Sequence, residues 1–276
     1  MGRVEHVHVA GAAGAPPLPR AEVEVAAGAG IAGDRYAARA GHWRDERVAR
    51  DLTLVEAEVV EELGLDPASG ELRRNVTTRG VRLNELQGRL FWAGGVLCRG
   101  AELCEPCRHL EELTGRTLLR PLVHRGGLRA AVVTGGRLRA GDAIEPAEEL
   151  DGVGVLVVRE GRVLLGRRLA AHGRGTWAPP GGKPLAGEPL LECAARELRE
   201  ETGLVARRLR VVGETVDGFA DSRLVYRTRF VAAEAAGEPR LLEPDRAAGW
   251  EWHPWSRLPE PLFAPVASLA RAGFAP

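Results

Sequence analysis

Short apolar segments separated by glycine-rich turns dominate the first half of the chain. Residues 11–33 are rich in Ala, Gly and Pro, which predicts loops with short strands. Residues 50–64 pass from three apolar positions to a Glu-rich stretch that ends at Gly64, which predicts a strand followed by a helix. Between residues 76 and 145, glycines punctuate short apolar runs. This rhythm predicts a compact, mostly-β domain with a barrel-like sheet.

The pattern changes after a polar, proline-containing stretch at residues 145–150, which is the best linker in the chain. We therefore predict two domains, one over residues 1–147 and one over residues 148–276. A length of 276 residues fits this division, since a domain takes about 150 residues.

The second domain begins with an apolar run at residues 152–156, which is typical of a buried strand. Residues 162–167 are its expected hairpin partner, and a Gly/Pro-rich loop follows. A helix is predicted over residues 189–202, with Pro189 at its first position and Gly203 as its C-terminal cap.

Composition and charge exclude several classes of protein. Apolar residues make up 45% and charged residues 28%, a balance that excludes wholesale disorder. No apolar run approaches the roughly 20 residues that span a bilayer, and the N-terminal stretch lacks the apolar centre of a secretion signal. We therefore expect a cytoplasmic protein with no membrane partner.

The charged residues themselves carry two further points. Residues 1–150 hold 20 basic and 22 acidic side chains and the rest hold 18 and 16, so neither half is a basic nucleic-acid domain. Of the 38 basic residues, 37 are Arg and one is Lys183, a bias typical of GC-rich genomes. A lysine-bound pyridoxal cofactor is therefore excluded everywhere except at Lys183. With no export signal, we expect the four cysteines to be reduced thiols.

Three glutamates lie on one face of the predicted helix of the second domain. Glu197, Glu200 and Glu201 are spaced at i, i+3 and i+4, while an apolar face with Ala194 and Leu198 is free to pack on a sheet. Like charges at this spacing cost about 0.2–0.5 kcal/mol per pair on an exposed helix. A hard divalent cation, Mg²⁺ or Mn²⁺, would offset that cost. The alternative is a solvated acidic face supported by neighbouring arginines.

The segment around these glutamates resembles the Nudix box. Residues 182–204 match every fixed position of the pattern G-x5-E-x7-R-E-U-x-E-E-x-G-U, where U is a bulky apolar residue. The likeness to MutT-like Nudix nucleotide diphosphatases covers roughly residues 150–276 and includes further segments: Gly166-Arg-Arg, Thr176-Trp-Ala-Pro-Pro-Gly-Gly, Trp250-Glu-Trp-His-Pro-Trp and the tail with Phe263. It implies an α/β/α sandwich. Leu185 departs from the relatives that carry another Glu there, which puts a secondary metal contact in doubt.

The resemblance also implies roles for individual residues. Glu197, Glu200 and Glu201 would hold Mg²⁺ or Mn²⁺, with the Gly182 carbonyl as a further ligand, and water would attack phosphorus. Arg196 would orient the glutamates. Lys183 would contact phosphate or would simply be solvated. A base would stack on Phe263 or on one of Trp250, Trp252 and Trp255, unless the tryptophans only pack in the core.

The first domain contains a C-x-x-C pair at Cys104 and Cys107, for which three interpretations stay open. A zinc site would need Cys98 and His109 as further ligands, at poor spacing. A thioredoxin-like dithiol would open a helix after a strand in a βαβ unit, and the Gly-rich β context argues against it. The third interpretation is a pair of structural thiols.

The order of short motifs across residues 1–146 resembles the MOSC family, a β-barrel domain of molybdenum-cofactor sulfurases. The motifs are Gly30-Ile-Ala-Gly-Asp-Arg35, Leu72-Arg-Arg-Asn75, Arg79-Gly80, Cys104-Glu-Pro-Cys107, His124-Arg-Gly-Gly127 and Gly141-Asp142. The family implies that Cys107 ligates molybdenum or carries sulfur. Arg35, Arg74 and Arg125, with Asn75 nearby, would hold the pterin phosphate. Since the pyridoxal-dependent sulfurase half is absent, sulfur or cofactor would come from a donor protein.

These observations support one main interpretation and two alternatives. The main one is a Mg²⁺-dependent hydrolase of a nucleoside triphosphate or other nucleoside diphosphate derivative, fused to a MOSC domain and acting in modified-nucleotide sanitation. The first alternative is a molybdenum-cofactor binding or sulfur-carrier protein with an accessory Nudix domain. In one version of it, the MOSC half is a molybdenum-dependent reductase. The second is a regulatory binding module with a silent Nudix fold.

Overall fold

A computed structural model describes residues 2–41 and 49–276 of the chain. Residues 1 and 42–48, which fall in the predicted first domain, lie outside the described residues. The chain forms two compact units. The first unit contains Met1–Glu148 with Gly218–Arg223, and the second contains Glu149–Asp217 with Leu224–Pro276.

The first unit contains eleven strands among its described residues. They are β1 (Gly2–Val9), β2 (Leu18–Arg20), β3 (Glu22–Ala26), β4 (Gly30–Ile31), β5 (Leu52–Glu56), β6 (Val76–Arg79), β7 (Leu90–Ala93), β8 (Val96–Leu103), β9 (Leu128–Thr134), β10 (Gly136–Arg139) and β11 (Ala143–Pro146). Three short helices lie between them: α1 (Ala57–Glu62), α2 (Arg108–Thr114) and α3 (Leu119–Leu122). Two 3-10 turns complete the described elements: Pro67–Ser69 and Leu83–Leu86.

Seven of these strands close into a barrel, which confirms the predicted mostly-β domain. The ring runs β11-β7-β8-β9-β5-β6-β1 and closes where β1 pairs with β11, with Gly2 opposite Ile144. Only β5 and β6 pair in parallel within the ring. A separate three-stranded sheet is formed by β10, β3 and β4. Closure pairs every edge of the ring, which leaves no unpaired strand edge in it.

Aliphatic side chains that alternate along the strands fill the barrel. In β3, for example, Val23 and Val25 are buried while their neighbours are exposed. The three helices contribute a second apolar cluster, in which Val59, Leu110 and Leu122 pack together beside β5. The predicted strand-to-helix transition at residues 50–64 is confirmed as β5 followed by α1.

The second unit contains seven strands and two helices among its described residues. The strands are β12 (Glu149–Arg159), β13 (Arg162–Arg168), β14 (Trp177–Ala178), β15 (Gly181–Gly182), β16 (Val205–Phe219), β17 (Leu224–Ala236) and β18 (Ala247–Pro254). The helices are α4 (Leu190–Thr202) and α5 (Ala264–Arg271), with a 3-10 turn at Trp255–Arg257.

Strand β12 is the centre of a mixed sheet. It pairs in parallel with β17 from Glu149 to Val157, and antiparallel with β13 at its end and with β15 in its middle. Residues 152–157 are all buried, as the predicted buried strand requires. The predicted hairpin of β12 and β13 is confirmed, since Val158 pairs with Val163.

The two helices of the second unit pack with different residues of β12. Helix α4 contributes Ala194 and Leu198 to an apolar cluster that contains Val155. Helix α5 contributes Leu269 to another cluster, which contains Leu156. Because successive strand residues point to opposite sides of a sheet, each helix packs on its own face of β12.

Candidate functional site

Helix α4 positions the predicted catalytic glutamates of the second unit. Pro189 precedes the helix as its N-terminal cap, one residue before its predicted position, and its carbonyl accepts a hydrogen bond from Cys193 N at 3.0 Å. The helix ends at Gly203, whose φ of 73° is the left-handed cap that the sequence predicts. Ala194 and Leu198 are fully buried, which turns the opposite face of the helix toward the site.

Arg196 joins the acidic side chains of this segment through one guanidinium group. Its Nη1 donates to Glu197 Oε1 at 2.8 Å and to Glu200 Oε2 at 2.9 Å. Its Nη2 also donates to the Lys183 carbonyl at 3.2 Å. The arrangement places Arg196 where it can orient two of the three box glutamates, as the resemblance implies.

Glu188 is a site residue to which the sequence alone assigned no role. Both of its oxygens accept hydrogen bonds from Arg196, at 2.7 Å from Nε and 2.9 Å from Nη2. This bidentate contact, with the Leu185 amide, lowers the pKa of Glu188 to about 2. Its fixed position in the box motif was the available signal.

The Glu197 side chain is buried, and that of Glu201 is half-buried. Burial raises the pKa of Glu201 to about 7, against a hydrogen bond from Gly181 N at 3.0 Å, and the nearby Glu197 and Glu243 raise it further. Glu197 is 7% exposed, and burial raises its pKa despite the contact with Arg196. Glu200, by contrast, has an exposed side chain.

Gly182 packs directly against the carboxylate of Glu197. A Cβ atom at position 182 would lie 2.3–2.5 Å from the three carboxyl atoms of Glu197. Gly181 beside it has a φ of 158°, and a Cβ there would lie 2.1 Å from the Val153 carbonyl of β12. The two glycines therefore let the loop approach both the sheet and the glutamates.

The described residues contain no group of three or more His, Cys, Asp and Glu side chains arranged to hold a metal ion. Glu197 and Glu200 instead bond to Arg196, and Glu201 bonds to Gly181 N. The assignment of Gly182, Glu197, Glu200 and Glu201 as metal ligands stays a prediction.

A cavity of roughly 590 Å³ opens beside these glutamates. Lys183 and Phe263, the two predicted substrate contacts, both line it. The Lys183 Nζ lies 5.4 Å from the centre of the Tyr226 ring. One face of Phe263 is covered by the guanidinium of Arg168, 4.3 Å from its ring centre. His172 also contacts the Phe263 ring edge-on, with 5.8 Å between the ring centres.

Several lining residues were missed by sequence reasoning. Tyr226, His172 and Arg246 line the cavity together with Arg168, whose Nε donates to the His172 carbonyl at 3.1 Å. Arg168 stands in the Gly166-Arg-Arg motif, which was its signal. No sequence signal marked Tyr226, because only the pairing of β17 with β12 brings it to the cavity.

The three tryptophans of β18 and the following turn have different surroundings. Trp250 lines the cavity, and its Nε1 donates to the Glu201 carbonyl at 3.3 Å. Trp252 packs against the apolar cluster to which α4 contributes Ala194 and Leu198, and the Arg159 guanidinium lies over its ring. Trp255 donates to the Phe274 carbonyl at 2.8 Å. Among the three, the structure brings Trp250 alone to the described cavity lining.

The first unit has a smaller pocket, of roughly 80 Å³, and it gathers several of the predicted residues. Arg35, Arg74 and Cys107 all line it, together with Cys104. Asn75 lies behind the lining and is 2% exposed; its Nδ2 donates to Asp34 Oδ2 at 3.0 Å. Asn75 therefore supports the wall of the pocket.

Arg74 and Arg125 differ from their implied roles. Arg74 donates to three backbone carbonyls, those of Gly126, Leu72 and Cys104, at 2.8–3.3 Å, so it ties loops of the pocket together. Arg125 does not belong to the described lining. Its guanidinium pairs with Glu62 at the surface, because Arg125 precedes β9 and its side chain reaches α1.

The structure also bears on the C-x-x-C pair. All four cysteines are free. Cys104 and Cys107 lie between β8 and α2, and Cys107 is the N-terminal cap of that helix. A strand therefore precedes the pair and a helix follows it, which is the setting of a thioredoxin-like dithiol that the Gly-rich β pattern of the sequence argued against. However, β8 pairs antiparallel with β7 and β9, so a parallel βαβ unit is not formed here. Cys98 is buried in the barrel core.

Comparison with known families decides what the two units are. The NUDIX domain model matches residues 149–271, and the MOSC domain model matches residues 49–145. The chain is a fusion of a MOSC domain and a Nudix domain. Nudix hydrolases generally use a divalent cation such as Mg²⁺ or Mn²⁺. None of the described helices has the length and apolar character that a bilayer crossing requires.

Curated relatives resemble part of this MOSC–Nudix chain. The oxidized purine nucleoside triphosphate hydrolase of Danio rerio is 36% identical over 106 residues, which are 38% of this chain and 66% of that protein. The NAD-capped RNA hydrolase NudC of Vibrio vulnificus is 32% identical over 120 residues, or 43% of each chain. The chain thus spans slightly under two thirds of the first protein and under half of the second.

Solved structures resemble the chain over similar lengths. A MutT NUDIX hydrolase from Burkholderia pseudomallei is 33% identical, with a TM-score of 0.41, and the match covers 42% of this chain and 92% of that one. The YuaD protein from Bacillus subtilis is 18% identical, with a TM-score of 0.44, and the match covers 53% and 96%.

Proposed function

We propose that the Nudix domain is a Mg²⁺- or Mn²⁺-dependent hydrolase that cleaves a phosphoanhydride bond of a nucleoside triphosphate or other nucleoside diphosphate derivative. One observation carries the proposal. The buried carboxylate of Glu197 and the half-buried one of Glu201 line a cavity of roughly 590 Å³ that basic and aromatic side chains also line. Acidic and basic side chains that line the same cavity suit a metal-bound polyphosphate.

The donor set fits a hard divalent cation. Carboxylate and carbonyl oxygens are the ligands that Mg²⁺ and Mn²⁺ prefer, and Glu197, Glu200, Glu201 and Gly182 supply them. Burial raises the pKa of both Glu197 and Glu201, so their ionised forms need a nearby cation. When bound, such a cation would polarise the phosphoanhydride and lower the pKa of the attacking water.

Side chains of the chain itself would bind and orient the phosphates. Lys183, Arg168 and Arg246 line the cavity and can neutralise phosphate oxygens. Arg196 holds Glu197 and Glu200, and Glu188 fixes Arg196. These contacts therefore keep the Glu197 and Glu200 carboxylates close together on α4.

Aromatic side chains of the cavity lining would bind the base. Tyr226, Trp250 and Phe263 line the cavity, and aromatic faces stack on nucleobases at about 1–3 kcal/mol per base. The substrate is a small-molecule nucleotide in this proposal. The relative that hydrolyses oxidized purine nucleoside triphosphates supports modified nucleotides, and hence sanitation, as the substrate class.

A hydrolysis screen tests the proposal directly. The full chain is assayed with Mg²⁺ over normal and modified nucleoside triphosphates, with phosphate and pyrophosphate measured separately. NAD-capped RNA is included because one relative is named for that activity. We expect monophosphate and pyrophosphate from a modified nucleotide. Absence of metal-dependent hydrolysis on every compound would contradict the proposal and favour a silent binding module.

The MOSC domain supports a second candidate function, binding of molybdenum cofactor or carriage of sulfur received from a donor protein. The observation that favours it is that Cys107, Arg35 and Arg74 line one pocket. A thiol is a soft ligand for molybdenum, and guanidinium groups suit an anionic cofactor. Molybdenum and pterin analysis of protein from a cofactor-competent host tests it, and protein free of both would count against it.

The packing of the Nudix domain supports the predicted α/β/α sandwich. Helix α4 packs with Val155 of β12, and helix α5 packs with the next residue, Leu156. We therefore include this layer order in the proposal.

A further inference from the structure

Two glycines of the central strand β12 form part of the wall of the Nudix cavity. Gly152 and Gly154 both line it, and the parallel register with β17 places Thr228 opposite Gly152 and Phe230 opposite Gly154. Thr228 and Phe230 line the cavity as well. The sheet therefore offers a stretch of bare backbone to whatever the cavity binds.

The fold requires only one of these two glycines. A Cβ atom at Gly154 would lie 2.9 Å from Cε1 of Phe230, so packing leaves no room for a side chain there. A Cβ atom at Gly152 would lie 3.6 Å from Thr228 Oγ1 and 3.7 Å from Tyr226 Cδ1, which are ordinary van der Waals distances. Gly152 does not have a positive φ either. An alanine would therefore fit at position 152 without strain.

A glycine that the fold does not require weakens the strand that contains it. Glycine in a strand interior is less favourable than alanine, because its backbone loses more conformational freedom on folding and it has no side chain to pack. Such a glycine is typical of a place where a ligand approaches the backbone closely. Since Gly152 lines the cavity, we infer that its missing side chain serves the ligand.

Gly152 faces the side of the sheet away from the helix that carries the box glutamates. Val153, the next residue, packs in the apolar cluster of that helix, α4. Successive residues of a strand point to opposite sides, so Gly152 shares its side with Leu156, which packs with α5. Phe263, a cavity residue, packs against the same α5 cluster. The wall at Gly152 therefore belongs to the aromatic part of the cavity.

The cavity is large enough for a whole nucleotide. Its volume of roughly 590 Å³ lies within the range of about 300–1,000 Å³ that encloses drug-sized ligands. With the phosphates beside the glutamates of α4, the base would lie in the aromatic part, where Tyr226 and Gly152 are neighbours.

We propose that Gly152 determines which bases the Nudix domain accepts, because its missing side chain leaves room beside Tyr226 for the second ring of a purine. This inference rests on the proposed function and narrows its substrate class to nucleotides with a two-ring base. A side chain at position 152 would occupy the space of the second ring, while a one-ring pyrimidine would still fit. The phosphates and their metal would be unaffected.

Steady-state kinetics of the full chain with Mg²⁺ test the proposal. Wild type, Gly152→Ala and Gly152→Val are compared on the triphosphates of guanosine, adenosine, cytidine and uridine, and on the modified nucleotide that the screen selects. We expect wild type to prefer purines. One methylene group in a filled pocket changes selectivity by about 10–200-fold, so the purine KM should rise about ten-fold in Gly152→Ala and further in Gly152→Val. The kcat values and the pyrimidine KM values should change little.

Urea unfolding adds a measurement that a merely structural role would move in the opposite direction. Gly152→Ala should unfold at the same urea concentration as wild type or at a higher one, because alanine fits beside Thr228 and favours the strand. Gly154→Ala is the matched variant on the same side of the same strand. It should unfold at a lower urea concentration, because its methyl group would overlap the Phe230 ring.

Three outcomes would overturn the proposal. They are an unchanged purine KM in both variants at position 152, an equal rise of the purine and pyrimidine KM values, and a loss of stability in Gly152→Ala that matches the loss in Gly154→Ala. The last would mean that the fold itself requires Gly152.

Failure of this inference can be distinguished from failure of the proposed function. If wild type hydrolyses none of the nucleotides, the proposed function fails, and calorimetric titration with guanosine and cytidine monophosphates tests Gly152 separately. Weaker binding of the purine alone in Gly152→Ala would support the inference. Equal binding of both compounds by wild type and variant, or binding of neither, would contradict it.

Discussion

Arg196 binds both oxygens of Glu188, through Nε at 2.7 Å and Nη2 at 2.9 Å. The same guanidinium reaches Glu197 and Glu200 through Nη1. Glu188 precedes the helix that carries the other two glutamates, so the contact joins the loop to the helix. Its position fixes the acidic wall of the cavity before substrate enters.

The first prediction concerns this contact. Glu188→Gln removes the charge that holds Arg196, and a hydrogen bond to a charged group is stronger than one between neutral groups. We expect kcat to fall ten-fold or more with little change in KM, measured on the substrate found by the screen. Glu192→Gln, an exposed glutamate in the first turn of α4, is the matched control. A KM effect alone would show that Glu188 binds substrate and does not position Arg196.

The second prediction concerns Glu200 and Glu201. Glu200→Gln and Glu201→Gln should each abolish Mg²⁺-dependent hydrolysis, because each removes a charged oxygen donor from the proposed metal site. Turnover is compared with wild type over a range of Mg²⁺ concentrations, with Glu192→Gln as control. Unchanged turnover in both variants would contradict the proposed mechanism.

The third prediction follows from the raised pKa of Glu201. In the folded chain this pKa is about 7, above the ordinary value of 4.5. The proton that Glu201 retains therefore stabilises the folded chain fully below about pH 4.5, and this stabilisation is lost as the pH rises through 7. Glutamine cannot ionise. Glu201→Gln should therefore gain about 3 kcal/mol of stability relative to wild type between pH 4.5 and pH 8.

Urea unfolding in the presence of a chelator measures this difference at the two pH values. Groups far from position 201 titrate alike in both proteins and cancel in the comparison, so the difference reports Glu201 together with its neighbours Glu197 and Glu243. Parallel pH dependence in wild type and variant would mean that Glu201 is ionised in the folded chain at ordinary pH.

The fourth prediction concerns the packing of Gly182 on Glu197. In Gly182→Ala, the new methyl group would lie within 2.5 Å of the Glu197 carboxylate, which must then move. We expect loss of most hydrolytic activity, with a modest loss of stability. Gly11→Ala, where the nearest atom to the new methyl group lies 3.9 Å away, controls for the substitution itself. Full activity in Gly182→Ala would show that the position of Glu197 is not critical.

The fifth prediction uses the lone lysine. Reductive methylation can modify only Lys183 and the chain's α-amino group, and Lys183 lines the cavity. Methylation keeps the charge but changes the hydrogen bonding of the amine. We expect KM to rise and kcat to stay similar, with peptide mass spectrometry confirming the site. Lys183→Arg, treated identically, should show no change on methylation.

Spacing along the chain predicted the parts of the site that lie on one element. The helix of the box, its glycine cap and its three glutamates follow from local periodicity, because residues three and four apart share a helix face. The barrel followed from the rhythm of glycines and short apolar runs. These features need no knowledge of which strands pair.

Features assembled from distant strands could not be predicted in this way. Arg129 lines the MOSC pocket because β9 pairs with β5, which places it opposite Thr53. The sequence gives no signal of that register, and the family resemblance points instead to Arg125, four residues earlier. Tyr226 reaches the Nudix cavity by the same kind of pairing between β17 and β12.

The closure of the barrel has a consequence for how this protein folds during synthesis. Gly2 in the first strand pairs with Ile144 in the last strand of the ring. A contact of such long sequence separation carries a large loop-closure entropy and slows folding. The first strand can pair earlier with β2 and β6, but its edge toward β11 stays open until almost the whole MOSC domain has left the ribosome, and that edge is what a chaperone would need to shield.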